Sequence, residues 1–198
     1  SYVKQRAPET IIPGPGVTRR GSLSDYLPAL KGTSADTPVF YLEGKEPGGT
    51  VLLVGGAHPN EPAGFIAPLI VVERGVAQKG RVIVVPYANG SAISHTEPLE
   101  GSPASFSLKN KAGETRVFRV GSRLFNPLDQ WPDPALYVNE KGQVLSGSEM
   151  RNLNRAFPGK ADGSITEQIA YAIMEIIRRE KADISIDFHE ASPEYTTV

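Results

Sequence analysis

Three short apolar runs constrain the fold most: Thr50-Val-Leu-Leu-Val-Gly55, Arg81-Val-Ile-Val-Val-Pro86 and Asp183-Ile-Ser-Ile-Asp-Phe188. Runs of this length, rich in β-branched residues and bounded by Gly or Pro, read as buried strands. Between the first two, Ala63, Ile66, Ala67, Ile70 and Val71 recur at helical spacing, with Asn60 as cap and Pro62 early in the helix. Before the third, Ser164-Ile-Thr-Glu167 is a capping-box pattern, and Ile165, Ile169, Ile173, Ile176 and Ile177 follow along one helical face. Strand, helix, strand, helix, strand in this order predicts an α/β sheet sandwiched by helices. Val39-Phe-Tyr-Leu-Glu43 is a further strand, and its Gly/Pro-containing link to Thr50 reads as a hairpin.

The remaining segments are less regular. Residues 1–35 are rich in Pro, Gly and Ser and read as an N-terminal arm, extended or packed on the surface, ahead of a domain over 36–198. Residues 90–150 are mostly polar, with one short strand expected over Arg116–Val120, and a stretch so long and irregular is usually functional or disordered. With 198 residues the chain can bury a proper core without disulfides. Its 21 basic and 22 acidic residues argue against a general pull toward nucleic acid or anionic membrane. No apolar run approaches the ~20 residues that span a bilayer. The absence of cysteine excludes thiolate metal sites and leaves the compartment undecided.

Two histidines stand out. His58-Pro-Asn-Glu61 follows the first apolar run directly, and His189 closes the last one. Strand-to-helix turns at the carboxyl ends of sheet strands are where open α/β folds bind ligands. A His-x-x-Glu pair in such a turn, plus one distant His, is a common way to hold a catalytic zinc with one coordination position open. Taken singly, His58 and Glu61 also suit the start of a helix and His189 a polar corner; taken together they point to a metal. His95 lies in the polar stretch without a partner motif and is read as a non-ligand.

Gly55-Gly-Ala-His-Pro-Asn-Glu61, Asn152-Leu-Asn-Arg-Ala-Phe-Pro-Gly159 and Asp187-Phe-His-Glu190 occur in the order and contexts of the zinc carboxypeptidase-like hydrolases. The chain most resembles their succinylglutamate desuccinylase/aspartoacylase branch, over about residues 38–192, with Pro86-Tyr-Ala-Asn-Gly90 similar to that group's strand end. The resemblance implies a mixed, mostly parallel sheet flanked by helices. It implies one zinc ion on His58, Glu61 and His189, and a substrate carboxylate gripped by Asn154 and Arg155. A planar guanidinium beside an amide donor suits that second task. Asp187, on the same strand face as His189, and Asn152 compete to orient a ligand imidazole. Glu190, immediately after a ligand, reads as solvated or structural.

The resemblance also implies an oxyanion-stabilising arginine, for which Arg123 is chosen over Arg116, Arg119 and Arg151. The general base would be a glutamate on a strand well downstream of His189. No residue of this sequence is placed in that role, so the catalytic domain reads as truncated at its C-terminus. The expected activity is zinc-dependent hydrolysis of an amide in a small carboxylate-bearing substrate such as an N-acyl amino acid. A metallocarboxypeptidase acting on short peptides with a free C-terminus, and a non-catalytic module binding a carboxylate ligand, are the competing readings. No nucleic-acid or membrane partner is expected, while a homo-oligomer or association with a C-terminal remainder chain is left open.

Overall fold

The computed structural model describes residues 7, 9–97 and 103–191. In chain order the elements are β1 (Arg19–Ser22), β2 (Pro38–Glu43), β3 (Glu46–Val54), α1 (Pro62–Arg74), β4 (Lys79–Val85), β5 (Ser105–Lys109), β6 (Thr115–Arg119), β7 (Leu136–Val138), β8 (Val144–Ser146), the one-turn α2 (Leu153–Ala156), α3 (Ile165–Glu180) and β9 (Ile184–Asp187).

The main sheet has the order β1-β2-β4-β3-β9. β3 runs parallel to β4 and β9, whereas β2 is antiparallel to both β1 and β4. The expected mixed sheet flanked by helices is therefore present, with its pairings divided evenly between the two directions. The hairpin expected between β2 and β3 does not form, because β4 is inserted between them. Val82 to Val85 carry apolar side chains toward both faces, so a central place pairs both edges of β4 and covers both its sides. The link after Glu43 crosses the start of β4 instead, where the Gly44 N–H donates to the Gly80 carbonyl at 2.8 Å.

Helix α3 covers one face. Its Ile169, Ile173 and Ile176 share a core with Tyr41, Leu52, Val54, Ile83 and Val85. Its capping box closes as the sequence predicts, with Ser164 and Glu167 each bonding the other's backbone N–H. Helix α1 covers the opposite face, where Val72 packs with Phe40, Leu42, Leu53 and Val84. The face that α1 buries differs from the expected one: Gly64, Phe65, Pro68, Leu69 and Val72 are inside, while Ile70 is exposed. This helix is apolar nearly all round, so periodicity alone does not choose a side. Close approach does: a Cβ on Gly55 would lie 2.4 Å from both the Gly64 carbonyl oxygen and Pro68 Cγ.

Residues 1–35 are not a separate arm where they are described. β1 is an edge strand of the sheet, and Leu23, Tyr26 and Leu30 belong to the core under α3. The polar stretch 90–150 contains two small hairpins, β5–β6 and β7–β8, and the strand expected at Arg116–Val120 is β6. Among the described residues no helix is long and apolar enough to cross a membrane. All four residues of β9 are exposed, and among the described residues it pairs on one edge only, with β3.

At the beginning of β3 and β4 a polar cluster ties distant segments together. Glu180, at the end of α3, accepts from Tyr26 Oη at 2.7 Å and Arg81 Nη1 at 2.7 Å, with Arg19 Nη2 at 3.6 Å. Tyr26 and Tyr41 share a short hydroxyl–hydroxyl hydrogen bond. Burial pushes the Glu180 carboxyl up, but hydrogen bonds from Tyr26 and Arg81 outweigh it and hold the group below its ordinary 4.5. A carboxyl lowered on folding stabilises the protein above its unfolded value, and that contribution is lost as pH falls through the folded one. Glu180→Gln is therefore expected to lower stability at pH 7 and to flatten its decline below pH 4.5. Urea titrations across that range check this; an unchanged acid limb would refute it.

Candidate metal centre

The register of β3 sets the site. Val54 lies opposite Val85 on one side and Asp187 on the other, and the Phe188 N–H donates to the Val54 carbonyl at 2.9 Å. The chain leaving β3 and the chain leaving β9 thus emerge side by side. Gly56, with φ at +65°, turns the first of these, and the Glu61 N–H closes a turn onto the His58 carbonyl at 3.0 Å. Glu61 occupies the N-cap position of α1, not Asn60, whose buried Oδ1 has no hydrogen-bond partner among the described residues.

His58, Glu61 and His189 converge. Their ligand atoms lie within 4.8 Å of one another, although Glu61 and His189 are 128 positions apart. Glu61 bridges the two rings, with Oε1 at 2.8 Å from His58 Nδ1 and Oε2 at 2.8 Å from His189 Nδ1. The imidazoles stand edge to face at 4.9 Å. His58 is buried and His189 exposed, so the group is approachable from the β9 side.

The outer nitrogens identify the tautomers. His58 Nε2 meets Asn152 Oδ1 at 2.9 Å. That oxygen also accepts from the Asn154 N–H at 3.1 Å, while Asn152 Nδ2 donates to Glu149 Oε2 at 2.8 Å. The amide is therefore oriented by its neighbours, and Nε2 of His58 must carry the proton it donates. The other nitrogen, Nδ1, faces Glu61 and is the one left to a metal. His189 repeats the pattern, with Nε2 facing Asp187 Oδ2 at 3.1 Å. Two imidazole nitrogens and a carboxylate directed at one place form a donor set that can hold a metal ion once the Nδ1 positions carry no proton, and it is of the kind that zinc favours.

Glu190 completes the arrangement. Its backbone N–H donates to Glu61 Oε2 at 3.0 Å, and its carboxylate accepts from the Ala63 N–H in the first turn of α1. It is structural, capping a helix end whose N–H groups would otherwise lack partners. Burial pushes the Glu61 carboxyl up, but hydrogen bonds from His189, His58 and Glu190 hold it well below the usual carboxylate range. The contacts to Asp187 and then Glu61 raise His189 to about 10, against the effect of burial. A metal would have to displace that proton.

The other expected residues fall around this group. Asn154 is exposed on α2, and Arg155 Nε lies 3.5 Å from Glu149 Oε2. Glu149 thus holds both Asn152 and Arg155, a link that sequence reasoning missed, although the Glu149-x-x-Asn152 spacing is visible. Arg123 is part-buried on a segment that passes the site: the Gly121 N–H donates to the Pro59 carbonyl at 3.2 Å, and Leu124 bridges Asn152. Of the alternatives, Arg116 pairs with Glu73, Arg119 with Glu9 and Arg151 with Asp133. His95 is outside the group, with Nε2 at 3.5 Å from Glu97. Asp187 and Asn152 both orient an imidazole, one for each ring.

No protein-family model and no curated protein matches the chain. Among solved structures it is similar to a succinylglutamate desuccinylase/aspartoacylase from Rhodobacter sphaeroides, at 26% identity and a TM-score of 0.48, over 79% of this chain and 34% of that one. It is also similar to the ectoine utilization protein EutE (DoeB) from Ruegeria pomeroyi, at 28% identity and a TM-score of 0.46, over 78% of this chain and 33% of that one. The chain spans about a third of the length of these structures.

A group whose pKa rises on folding stabilises the protein fully below its unfolded value and loses that contribution as pH climbs through the folded one. In the metal-free chain the His189 share should therefore fade between pH 6.5 and about 10. Asp187→Asn should lower the His189 titration, followed by imidazole ¹H–¹⁵N NMR, by about one unit or more. A titration that stays in place would refute the pairing.

Proposed function

We propose that the chain carries the metal-binding part of a zinc-dependent amidohydrolase, acting on a small substrate with a free carboxylate such as an N-acyl amino acid. The observation that carries this reading is the orientation of His58 and His189, each with its outer nitrogen engaged and its Nδ1 turned to Glu61. His58, Glu61 and His189 would hold the ion. Bound there, zinc supplies a Lewis acid that polarises an amide oxygen and acidifies water.

The chain's own residues divide the remaining work. Asn152 keeps the His58 proton on Nε2, and Asp187 does the same for His189. The Glu190 N–H fixes the Glu61 carboxylate. Arg155 is the carboxylate clamp: its contact to Glu149 at 3.5 Å is loose and partly exposed, so a substrate carboxylate can compete for the guanidinium. Asn154, on the same turn of α2, adds a directional donor, and Arg123 would meet charge developing on the amide oxygen. Asp187 and Glu190 are committed to His189 and the Ala63 N–H, and neither is assigned as general base.

Elemental mass spectrometry of the purified chain should find about one zinc per chain, lost in His58→Ala. Asn152→Ala should weaken zinc by about tenfold to a hundredfold in chelator competition, with the fold intact by circular dichroism. Equimolar zinc retained by His58→Ala would overturn the ligand assignment.

Substrate class is read by assaying N-acyl amino acids beside short peptides with free or amidated C-termini. Arg155→Ala should raise KM for carboxylate-bearing substrates by about tenfold or more without loss of zinc. Unchanged kinetics would remove the clamp. Binding without turnover in a form supplied with a general base would favour the non-catalytic reading.

A further inference from the structure

Asn152 is fully buried, and a side-chain amide fits such a place in either of two senses related by a half-turn. Its oxygen faces His58 Nε2 at 2.9 Å and the Asn154 N–H at 3.1 Å, while its Nδ2 faces Glu149 Oε2 at 2.8 Å. Reversal would set the amide NH2 against the Asn154 N–H and the amide oxygen against a carboxylate. An ionised carboxylate only accepts, so Glu149 enforces the sense in which Asn152 presents Oδ1 to His58. The same Glu149 oxygen lies 3.5 Å from Arg155 Nε.

The backbone holds Glu149 in place for both partners. It sits on a short 3₁₀ turn, Gly147–Arg151, that leads through Asn152 into α2. Buried Arg151 anchors that turn: Nε and Nη2 donate to Asp133 at 2.8 and 3.1 Å, and Nη1 donates to the Phe125 carbonyl at 2.7 Å. At the other end a Cβ on Gly147 would lie 1.5 Å from the Pro134 carbonyl oxygen, so the turn is pressed against that segment. The two contacts of Glu149 differ in kind. The one to Asn152 is short and its partner buried; the one to Arg155 is long, and that side chain is 37% exposed. Losing the first would leave a buried amide unsatisfied, whereas an ion pair of the second kind is weak and exchangeable.

We propose that Glu149 is a positioning residue with two duties: a permanent acceptor that orients Asn152 toward His58, and a placeholder anion for Arg155 that a substrate carboxylate displaces. Both duties rest on the proposed function, since they assume zinc on His58 and a carboxylate at Arg155. Glu149 thereby acts on the metal and on the substrate through its neighbours, without touching either.

Glu149→Gln and Glu149→Leu separate the two duties. Glutamine can offer an amide oxygen to Asn152 Nδ2 but no charge to Arg155; leucine offers neither. Glu149 is only half-buried, so both variants should keep the parent's circular dichroism spectrum. In chelator competition on the 198-residue chain, zinc affinity should fall about tenfold or more in Glu149→Leu and stay within about threefold of the parent in Glu149→Gln. In the metal-free chain, side-chain ¹H–¹⁵N NMR should show the Asn152 Nδ2 signals moved in Glu149→Leu and the Arg155 Nε–H signal moved in both variants. N-acetylglycine, titrated into the metal-free chain on that Arg155 signal, should bind Glu149→Gln about threefold tighter than the parent, its competing anion being gone. The proposal is overturned if Glu149→Leu keeps the parent zinc affinity, if Glu149→Gln falls as far as Glu149→Leu, or if the probe binds Glu149→Gln no tighter. A parent chain that takes up no zinc would overturn the metal reading instead. The orienting duty then stands on Asn152 signals that move in Glu149→Leu and fails on signals that stay. Probe binding in neither chain would remove the Arg155 clamp, and the placeholder duty with it.

Discussion

The parallel pairing of β3 with strands on both its sides is the constraint on which the rest of the structure depends. Parallel neighbours end at the same side of a sheet, so their outgoing loops meet there. With Val54 level with both Val85 and Asp187, the turns that carry His58 and His189 leave the sheet at one height. A slip of one residue in β9 would turn Asp187 to the other face and carry His189 away from Glu61. The Phe188 N–H on the Val54 carbonyl holds that register at its last step.

Two carboxylates act as hubs at opposite ends of β3. Glu180 gathers Tyr26, Arg81 and Arg19 near Thr50, linking α3 to the N-terminal segment and the sheet. Glu61 gathers His58, His189 and the Glu190 N–H beyond Val54. Burial opposes ionisation in both, and hydrogen bonds overcome it in both. They differ in their partners. Glu180 is met by arginine and tyrosine, which satisfy it fully. Glu61 faces two imidazoles whose outer nitrogens are engaged elsewhere, so the three groups are of the types that can ligate a metal. The first hub stabilises the fold; the second has the composition of a site.

Much of this was legible in the chain. The strands β3, β4 and β9 and both long helices lie where the apolar runs and helical periods put them, and the Ser164–Glu167 capping box closes as its spacing requires. His58, Glu61 and His189 could be paired on paper because each follows a strand. The errors have definite causes. Residues 1–35 look like an arm because their Leu and Tyr residues have no period of their own, yet Leu23, Tyr26 and Leu30 fill a gap under α3. The face of α1 was misjudged because apolar residues surround it and only the contact of Gly55 with Gly64 and Pro68 selects a side. β2 and β3 look like a hairpin because a short link joins them, and nothing local says that β4 will insert.

Local order in the amino-acid sequence therefore determined the elements, their ends and the residue types able to hold a metal. These follow from periodicity, capping and turn chemistry, which act over a few residues. Tertiary structure alone decided the strand order, the buried side of α1 and which of two candidates orients which histidine. It also decided that Glu190 caps α1 and that Glu149 ties Asn152 to Arg155. Each of those depends on side chains from segments tens of residues apart competing for the same space and the same hydrogen bonds. No local pattern encodes the outcome of that competition.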